Sequence, residues 1–366
     1  MQKFIRNTMM AIAFLTMCYE AQMGAQFFKK EPFTYNQKID IDVEGVGKIA
    51  QEVSTFLQTA HTSKYVTIDE GSCFKGMITL DDVKETIQFL AEQAKKNPKQ
   101  LKHHWFYSHY FDFYRWHTDG CLKKMGHIPR GWPQCPEAIR LTKYRVGKIH
   151  GSLKKTEQYD IPLYELPEDE KGKLPSYIAS HREDFLRFSY TRTAIFEGAL
   201  EGNAKTKVLA WVDFDGYKEL LMQGSGIIYF GFFSPSLHIK IAGSNGKQDG
   251  EKYWFSVIHQ TKKNSKKFPV KVEPVPGVSF AGNIEALGFG KVILLVGKNQ
   301  ITKEKEMRLG VLVDTGTAFK DNLCKLDLFV GHFENQEIFN EHCKQYPHTA
   351  HAYVLIKKKK KSRDLN

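Results

Sequence analysis

Asp314 ends an apolar run, Leu309 to Val313, and is followed by Thr315 and Gly316 in the stretch from Arg308 to Gly331, RLGVLVDTGTAFKDNLCKLDLFVG. Such a run is expected to be a buried strand that delivers a carboxylate to its rim, and the glycine permits a sharp turn directly afterwards. A second carboxylate, Asp327, heads another apolar run, Leu328 to Val330. Strand, turn and strand thus place two acids near one rim, where burial can raise the pKa of one and keep it protonated as a general acid. An isolated Asp-Thr-Gly is equally an ordinary turn, because Asp and Gly populate turns for local reasons. The elements around it must decide.

A chain of 366 residues can bury a sizeable core and suggests roughly two domains. Its 42% hydrophobic and 26% charged residues are those of an ordinary globular protein. The formal charge of +12 is uneven: Lys357 to Lys361 with Arg363, less Asp364, supply +5 of it, and +7 remains as a mild basic bias. That bias suits an anionic polymer or surface, whether nucleic acid, anionic lipid or a carboxylate-bearing wall. Lys3 and Arg6 precede an apolar segment, Met9 to Cys18, too short to span a bilayer as a helix. It reads as a secretory signal peptide, residues 1–25, with cleavage after Ala25. Leu15-Thr16-Met17-Cys18 offers the alternative of a lipid anchor on Cys18. The mature chain is expected to be exported, and soluble or tethered at its start.

Five cysteines remain beyond that segment, Cys73, Cys121, Cys135, Cys324 and Cys343, without the Cys-x-x-Cys spacing of a zinc or redox site. In an oxidising compartment Cys121 and Cys135 can staple the loop between them, a contribution on the order of 3 kcal/mol. His103, His104, His109 and His117 lack a carboxylate partner at ligand spacing, so neither metal nor cofactor is expected.

Helical periodicity runs through Val46, Ile49, Ala50, Val53, Phe56 and Leu57. Thr79-x-x-Asp82 opens a second helix with a capping box, which Asn97-Pro98 stops. A third helix is expected from Lys102 to about His117, crowded with aromatic rings whose helical spacing points to core packing. From Leu141 short β-rich runs alternate with turn residues, the pattern of barrels or sandwiches. Asp215-Gly216 and Asn245-Gly246 suit hairpin turns. His351 to Ile356 closes the fold, and residues 357–366 are expected to be a disordered basic tail.

Several of these stretches, in this order, resemble the membrane-bound lytic murein transglycosylase A family. They are Leu141-Thr142-Lys143-Tyr144, Gly151-Ser152, Tyr159-x-x-Pro162-Leu163-Tyr164, Thr191-Arg192-x-x-Ile195, Trp211-Val212-Asp213, Gln223-Gly224-Ser225-Gly226 and Ala242-Gly243-x-Asn245-Gly246. Val275-Pro276-Gly277-x-Ser279, Asp314-Thr315-Gly316 with Lys320, and Asp327-Leu328-Phe329 then resemble its C-terminal three-aspartate domain. The match spans about Leu141 to Ile356. Departures are specific: the family's Tyr-Glu-Pro is Arg145-Val146-Gly147, its first aspartate is Asn283, and the Tyr-Thr-Ser-Ile-Gly that normally follows Asn-Gly is absent after Gly246.

The resemblance implies a mainly β (α+β) fold. A double-psi β-barrel domain with N-terminal helices would comprise residues 26–145 and 258–356, with a second β-domain, 146–257, inserted and a groove between them. It implies an exolytic enzyme of the Gram-negative periplasm or outer membrane, a monomer acting on peptidoglycan glycan strands and not on nucleic acid. Such enzymes cleave the β-1,4 bond between N-acetylmuramic acid and N-acetylglucosamine and leave a 1,6-anhydro sugar. Asp314 matches the catalytic acid and Asp327 a supporting carboxylate; Gln223, Ser225, Asn245, Thr315 and Lys320 become candidate substrate contacts. Two other readings stand beside it. A non-catalytic peptidoglycan binder would keep the fold without activity. An aspartic peptidase would need two aspartates sharing a proton, and this chain has one Asp-Thr-Gly and no Asp-Ser-Gly.

Overall fold

The computed structural model describes residues 27–35, 39, 41–59, 68–118, 137–231, 236–258, 272–316, 319 and 322–359. The signal segment, Cys18, the Cys121 and Cys135 loop, Lys320 and the tail beyond Lys359 lie outside these residues. Along the chain the elements are β1 (Phe28–Glu31), α1 (Val43–Thr59), α2 (Leu80–Lys96), α3 (His104–Tyr110), β2 (Phe111–Trp116), β3 (Ile139–Ser152), β4 (Ile161–Tyr164), α4 (Pro175–Ser180), α5 (Arg192–Phe196), β5 (Val208–Val212), α6 (Phe214–Gln223), β6 (Ser225–Tyr229), β7 (Leu237–Ser244), β8 (Trp254–Ile258), β9 (Ser279–Ala281), α7 (Ile284–Leu287), β10 (Val292–Lys298), β11 (Lys305–Asp314), β12 (Lys325–Phe333), α8 (Gln336–Cys343) and β13 (Thr349–Lys357). The protein is mainly β with helices, and it divides into two compact units. The first comprises Met1–Tyr144, Lys266–Gly331 and His342–Asn366; the second comprises Arg145–Ser265 with His332–Glu341.

In the first unit the strands run β1-β2-β13-β10-β11-β9-β12, antiparallel apart from the parallel pair β11 and β9. β10, β11 and β13 bury near-continuous apolar runs. A sheet covered on both faces produces this pattern, whereas one open to water shows alternation. α1 buries Val46, Ile49, Ala50, Val53, Phe56 and Leu57, as its periodicity requires. Each of these side chains other than Ala50 contributes roughly 1.5 to 3 kcal/mol by leaving water. α2 opens on the complete Thr79 and Asp82 capping box. Its Thr86 hydroxyl accepts the Lys357 amide at 2.9 Å, fastening the helix to β13.

Two expectations fail here. The helix expected over residues 102–117 ends at Tyr110, and β2 follows at once. Phe111, Phe113 and Trp116 are buried within a strand that fills the slot between β1 and β13, so sheet pairing overrides the helical spacing of the rings. The tail expected to be disordered from Lys357 is docked over its first three residues. Lys357 belongs to β13, the Lys358 amide donates to the Tyr110 carbonyl at 2.8 Å, and Lys359 pairs with Asp82 at 3.0 Å.

In the second unit the end of β3 pairs in parallel with β6 through Lys148 to His150, and β6, β7 and β8 continue antiparallel. Gly151 and Ser152 pair with β5, which carries β4. Ile149, Leu163, Leu220, Ile228, Tyr253 and Phe255 anchor its core. Asn245-Gly246 is not a tight hairpin turn: a loop of residues 245–253 joins β7 to β8, closed by the Asn245 amide donating to the Tyr253 carbonyl at 2.9 Å, with Gly246 at a φ of 70°. Asp215-Gly216 is not a hairpin: Asp213 caps α6, its carboxylate accepting the Gly216 amide at 2.7 Å. Tyr217 and Leu220, three residues apart, are the buried face that makes this stretch helical. Among the described residues no helix is long and apolar enough to cross a membrane.

Candidate active site

β11 carries a buried core from Leu309 to Val313 and ends at a half-buried Asp314. Ala281 of β9 lies opposite Asp314 on one side and opposite Asp327 of β12 on the other. Residues directly opposite across a sheet share a face, so both acids emerge on the face of Ala281, their Cα atoms roughly 10 Å apart across two strand spacings. A register shift between Leu312 and Asp314 inserts the extra residue, Val313, that brings Asp314 into that row. The Gly282 amide donates to the Asp314 carbonyl at 3.0 Å and closes the end of the strand.

The two oxygens of Asp314 are held differently. Oδ1 accepts the backbone N–H of Thr315 at 2.9 Å. Oδ2 accepts the hydroxyl of Tyr144 at 3.4 Å, a long contact that orients more than it binds. Tyr144 comes from β3, and its ring rests on Phe329 of β12 with centroids 5.1 Å apart. Burial, reinforced by the neighbouring Asp314 carboxylate, pushes the Tyr144 phenol far above its ordinary pKa. Tyr144 therefore stays a proton-bearing donor at any working pH.

Burial pushes the Asp327 carboxyl up, opposed by Lys325, Arg140 and Lys143. Lys325 lies two residues before it on the same strand face, with Nζ 3.2 Å from Oδ1. Lys143, pushed down to about 8 by burial, donates to the Pro347 carbonyl at 2.6 Å. Asn283, where a third aspartate is expected, caps α7 by accepting the Ala286 amide at 3.0 Å. Asn serves a helix N-cap as well as Asp does, so the exchange keeps the cap and removes a charge.

The remaining candidates divide. Thr315 is exposed directly beside the carboxylate, and Lys320 lies outside the described residues. In the second unit Gln223 ends α6, left-handed Gly224 turns the chain, and exposed Ser225 begins β6. The Gln223 amide donates to Glu219 at 3.3 Å, and Glu219 holds the buried Arg145 at 2.6 Å. Arg145 also stacks on Phe339 at 5.2 Å, so this departure from the family pattern is a structural ion pair within its unit. Asn245 must be removed from the substrate contacts. It is 1% exposed, its amide nitrogen donates to the carbonyls of Tyr190 and Glu251, and its oxygen accepts the amides of Lys247 and Tyr253. All four of its hydrogen-bonding positions are used, which makes it a staple for its loop.

Tyr144 stands in Leu141-Thr142-Lys143-Tyr144 without a local signal of a site role; only the fold brings it to Asp314, 170 residues on. Among the described residues no group of His, Cys, Asp or Glu is placed to hold a metal ion. What the first unit offers is a single oriented carboxylate with an exposed hydroxyl-bearing neighbour, next to a second acid already neutralised by a lysine.

No protein-family profile matches the chain, and no curated protein matches it by sequence. Solved structures do match. Escherichia coli MltA with bound chitohexaose aligns over 91% of this chain and 95% of its own, at 16% identity and a TM-score of 0.54. LtgG, a lytic transglycosylase of Burkholderia pseudomallei, aligns over 91% and 98% at 14% identity and 0.53. A membrane-bound lytic murein transglycosylase from Agrobacterium tumefaciens aligns over 86% and 95% at 17% identity and 0.53. This chain therefore has the fold of the MltA-type lytic transglycosylases.

Proposed function

We propose that this protein is an exolytic peptidoglycan transglycosylase that cleaves the β-1,4 bond between N-acetylmuramic acid and N-acetylglucosamine and leaves 1,6-anhydro ends, with Asp314 as sole general acid and base. The observation that carries the reading is Asp314 itself, presented at the end of β11 and held by Tyr144 and the Thr315 amide, in a fold shared with lytic transglycosylases.

Protonated Asp314 gives its proton to the glycosidic oxygen as that bond breaks and an oxocarbenium-like sugar forms. The same carboxylate then takes the proton of the sugar's 6-hydroxyl as that oxygen bonds to the anomeric carbon. No water is consumed. Because the nucleophile belongs to the substrate, its effective concentration is high and no second carboxylate is needed to hold a water. Tyr144 keeps Oδ2 in place and stabilises the carboxylate between the two transfers. A glycan lying over the site would exclude water from the proton transfers. Asp327, paired with Lys325, supports the local arrangement and does not exchange protons with substrate. Gln223, Ser225, Thr315 and Lys320 are proposed contacts for sugar hydroxyl and acetamido groups. The enzyme would work after export, on the periplasmic side, cleaved after Ala25 or tethered through Cys18.

Asp314→Asn keeps the shape and removes the proton. On purified sacculi it should lower the release of soluble muropeptides by about 10²- to 10⁴-fold. Release at the wild-type rate would end the assignment. Binding of sacculi by the wild type without any release would favour the non-catalytic reading.

A further inference from the structure

We propose that the first unit holds a second ligand site, a cavity of about 280 Å³ beside β11 that takes a small free amino acid in its zwitterionic form. Pro276, Val278 and Leu309 give it an apolar wall, and Asp42, Arg308 and Tyr346 bring polar groups to it. It is separate from the carboxylate of Asp314: Arg308 lies six residues earlier on β11, roughly 20 Å along the strand. The inference does not rest on the glycan-cleaving reading.

Arg308 is the anchor. Its Nε is committed to Glu306 at 2.8 Å, and its guanidinium lies over the Tyr346 ring at 4.5 Å, which fixes its plane. Among the described residues its two Nη groups have no hydrogen-bond partner, and the side chain is only 20% exposed. A fixed guanidinium edge with both Nη groups unused is a bidentate receptor for a carboxylate.

Tyr346 adds a donor. The Gln345 amide nitrogen donates to His342 Nδ1 at 3.3 Å and to the His342 carbonyl at 3.1 Å. Nδ1 is therefore the acceptor, the ring proton sits on Nε2, and Nε2 donates to the Tyr346 hydroxyl oxygen at 3.1 Å. Burial and nearby Arg308 push the imidazole pKa down, which keeps it in this neutral form. The Tyr346 hydroxyl hydrogen is then left to point at a ligand.

Asp42 supplies the opposite charge. One of its oxygens, Oδ1, accepts the Gly45 amide at 2.9 Å at the start of α1. The other remains for an ammonium group at the exposed lip of the cavity. Donors on one side and a carboxylate on the other select a ligand bearing both charges. Each must be matched, since an unmatched charge would lose its water without compensation.

The test is titration of the full chain with alanine, N-acetylalanine and alaninamide, followed by calorimetry or by amide shifts. Alanine should bind saturably, and each blocked analogue should bind at least about tenfold more weakly. Arg308→Gln and Tyr346→Phe should each weaken alanine binding by a similar factor. Should Arg308→Gln fail to fold, Tyr346→Phe, which deletes one hydroxyl, carries the test. Equal affinity for the three probes, wild-type affinity in Tyr346→Phe, or no saturable binding of alanine to the folded wild type would overturn the proposal.

Discussion

A carboxylate that must give a proton and then take one back needs neighbours that hold it without trapping it in either state. Tyr144 and the Thr315 amide do this for Asp314 with one hydrogen bond to each oxygen. Tyr144→Phe keeps the ring on Phe329 and removes only the hydroxyl, so kcat should fall about tenfold with KM little changed, the signature of an interaction that matters most during proton transfer. A fall in stability with kcat untouched would make the contact a packing detail. Away from the site, Lys291 is fully buried, donates to the Glu70 carbonyl at 2.8 Å, and is pushed down to about 7 by burial. Between about pH 7 and 10.5 it is neutral when folded and protonated when unfolded, so unfolding takes up a proton and stability rises with pH across that window. Lys291→Met should remove this dependence, which near pH 9 amounts to about 1.4 kcal/mol per pH unit, as denaturant unfolding at several pH values will show. An unchanged slope would mean that the lysine titrates at its ordinary pKa.

At the scale of elements, the row Asp314, Ala281, Asp327 depends on β9 lying tightly between β11 and β12. Gly310 makes that approach possible: a Cβ there would lie 2.6 Å from both the Phe280 ring and the Val278 carbonyl oxygen. Gly310→Ala should cost roughly 1 to 3 kcal/mol in thermal or denaturant unfolding and reduce activity through displacement of β9. A neutral result would show that the strands have slack. The helices α1 and α2 were legible in the sequence because periodicity and a capping box are local signals. β2 and α6 were not. The rings of 111–116 fit a helix until the partners β1 and β13 are known, and Asp215-Gly216 resembles a turn until Asp213 is seen to cap a helix.

For the molecule as a whole, ordered motifs across residues 141–356 pointed to a fold that 14–17% identity to its structural neighbours barely records in sequence. The two acids were legible because each adjoins an apolar run. Tyr144 at Asp314 and the saturated Asn245 were not, since both depend on neighbours distant in the chain. The chemistry itself is decided by the product. Sacculi digested with the wild-type protein, with Asp314→Asn in parallel, and analysed by mass spectrometry should yield muropeptides lighter by one water than hydrolytic products, with 1,6-anhydro ends, from the wild type alone. Muropeptides with free reducing ends would contradict a single carboxylate working without water.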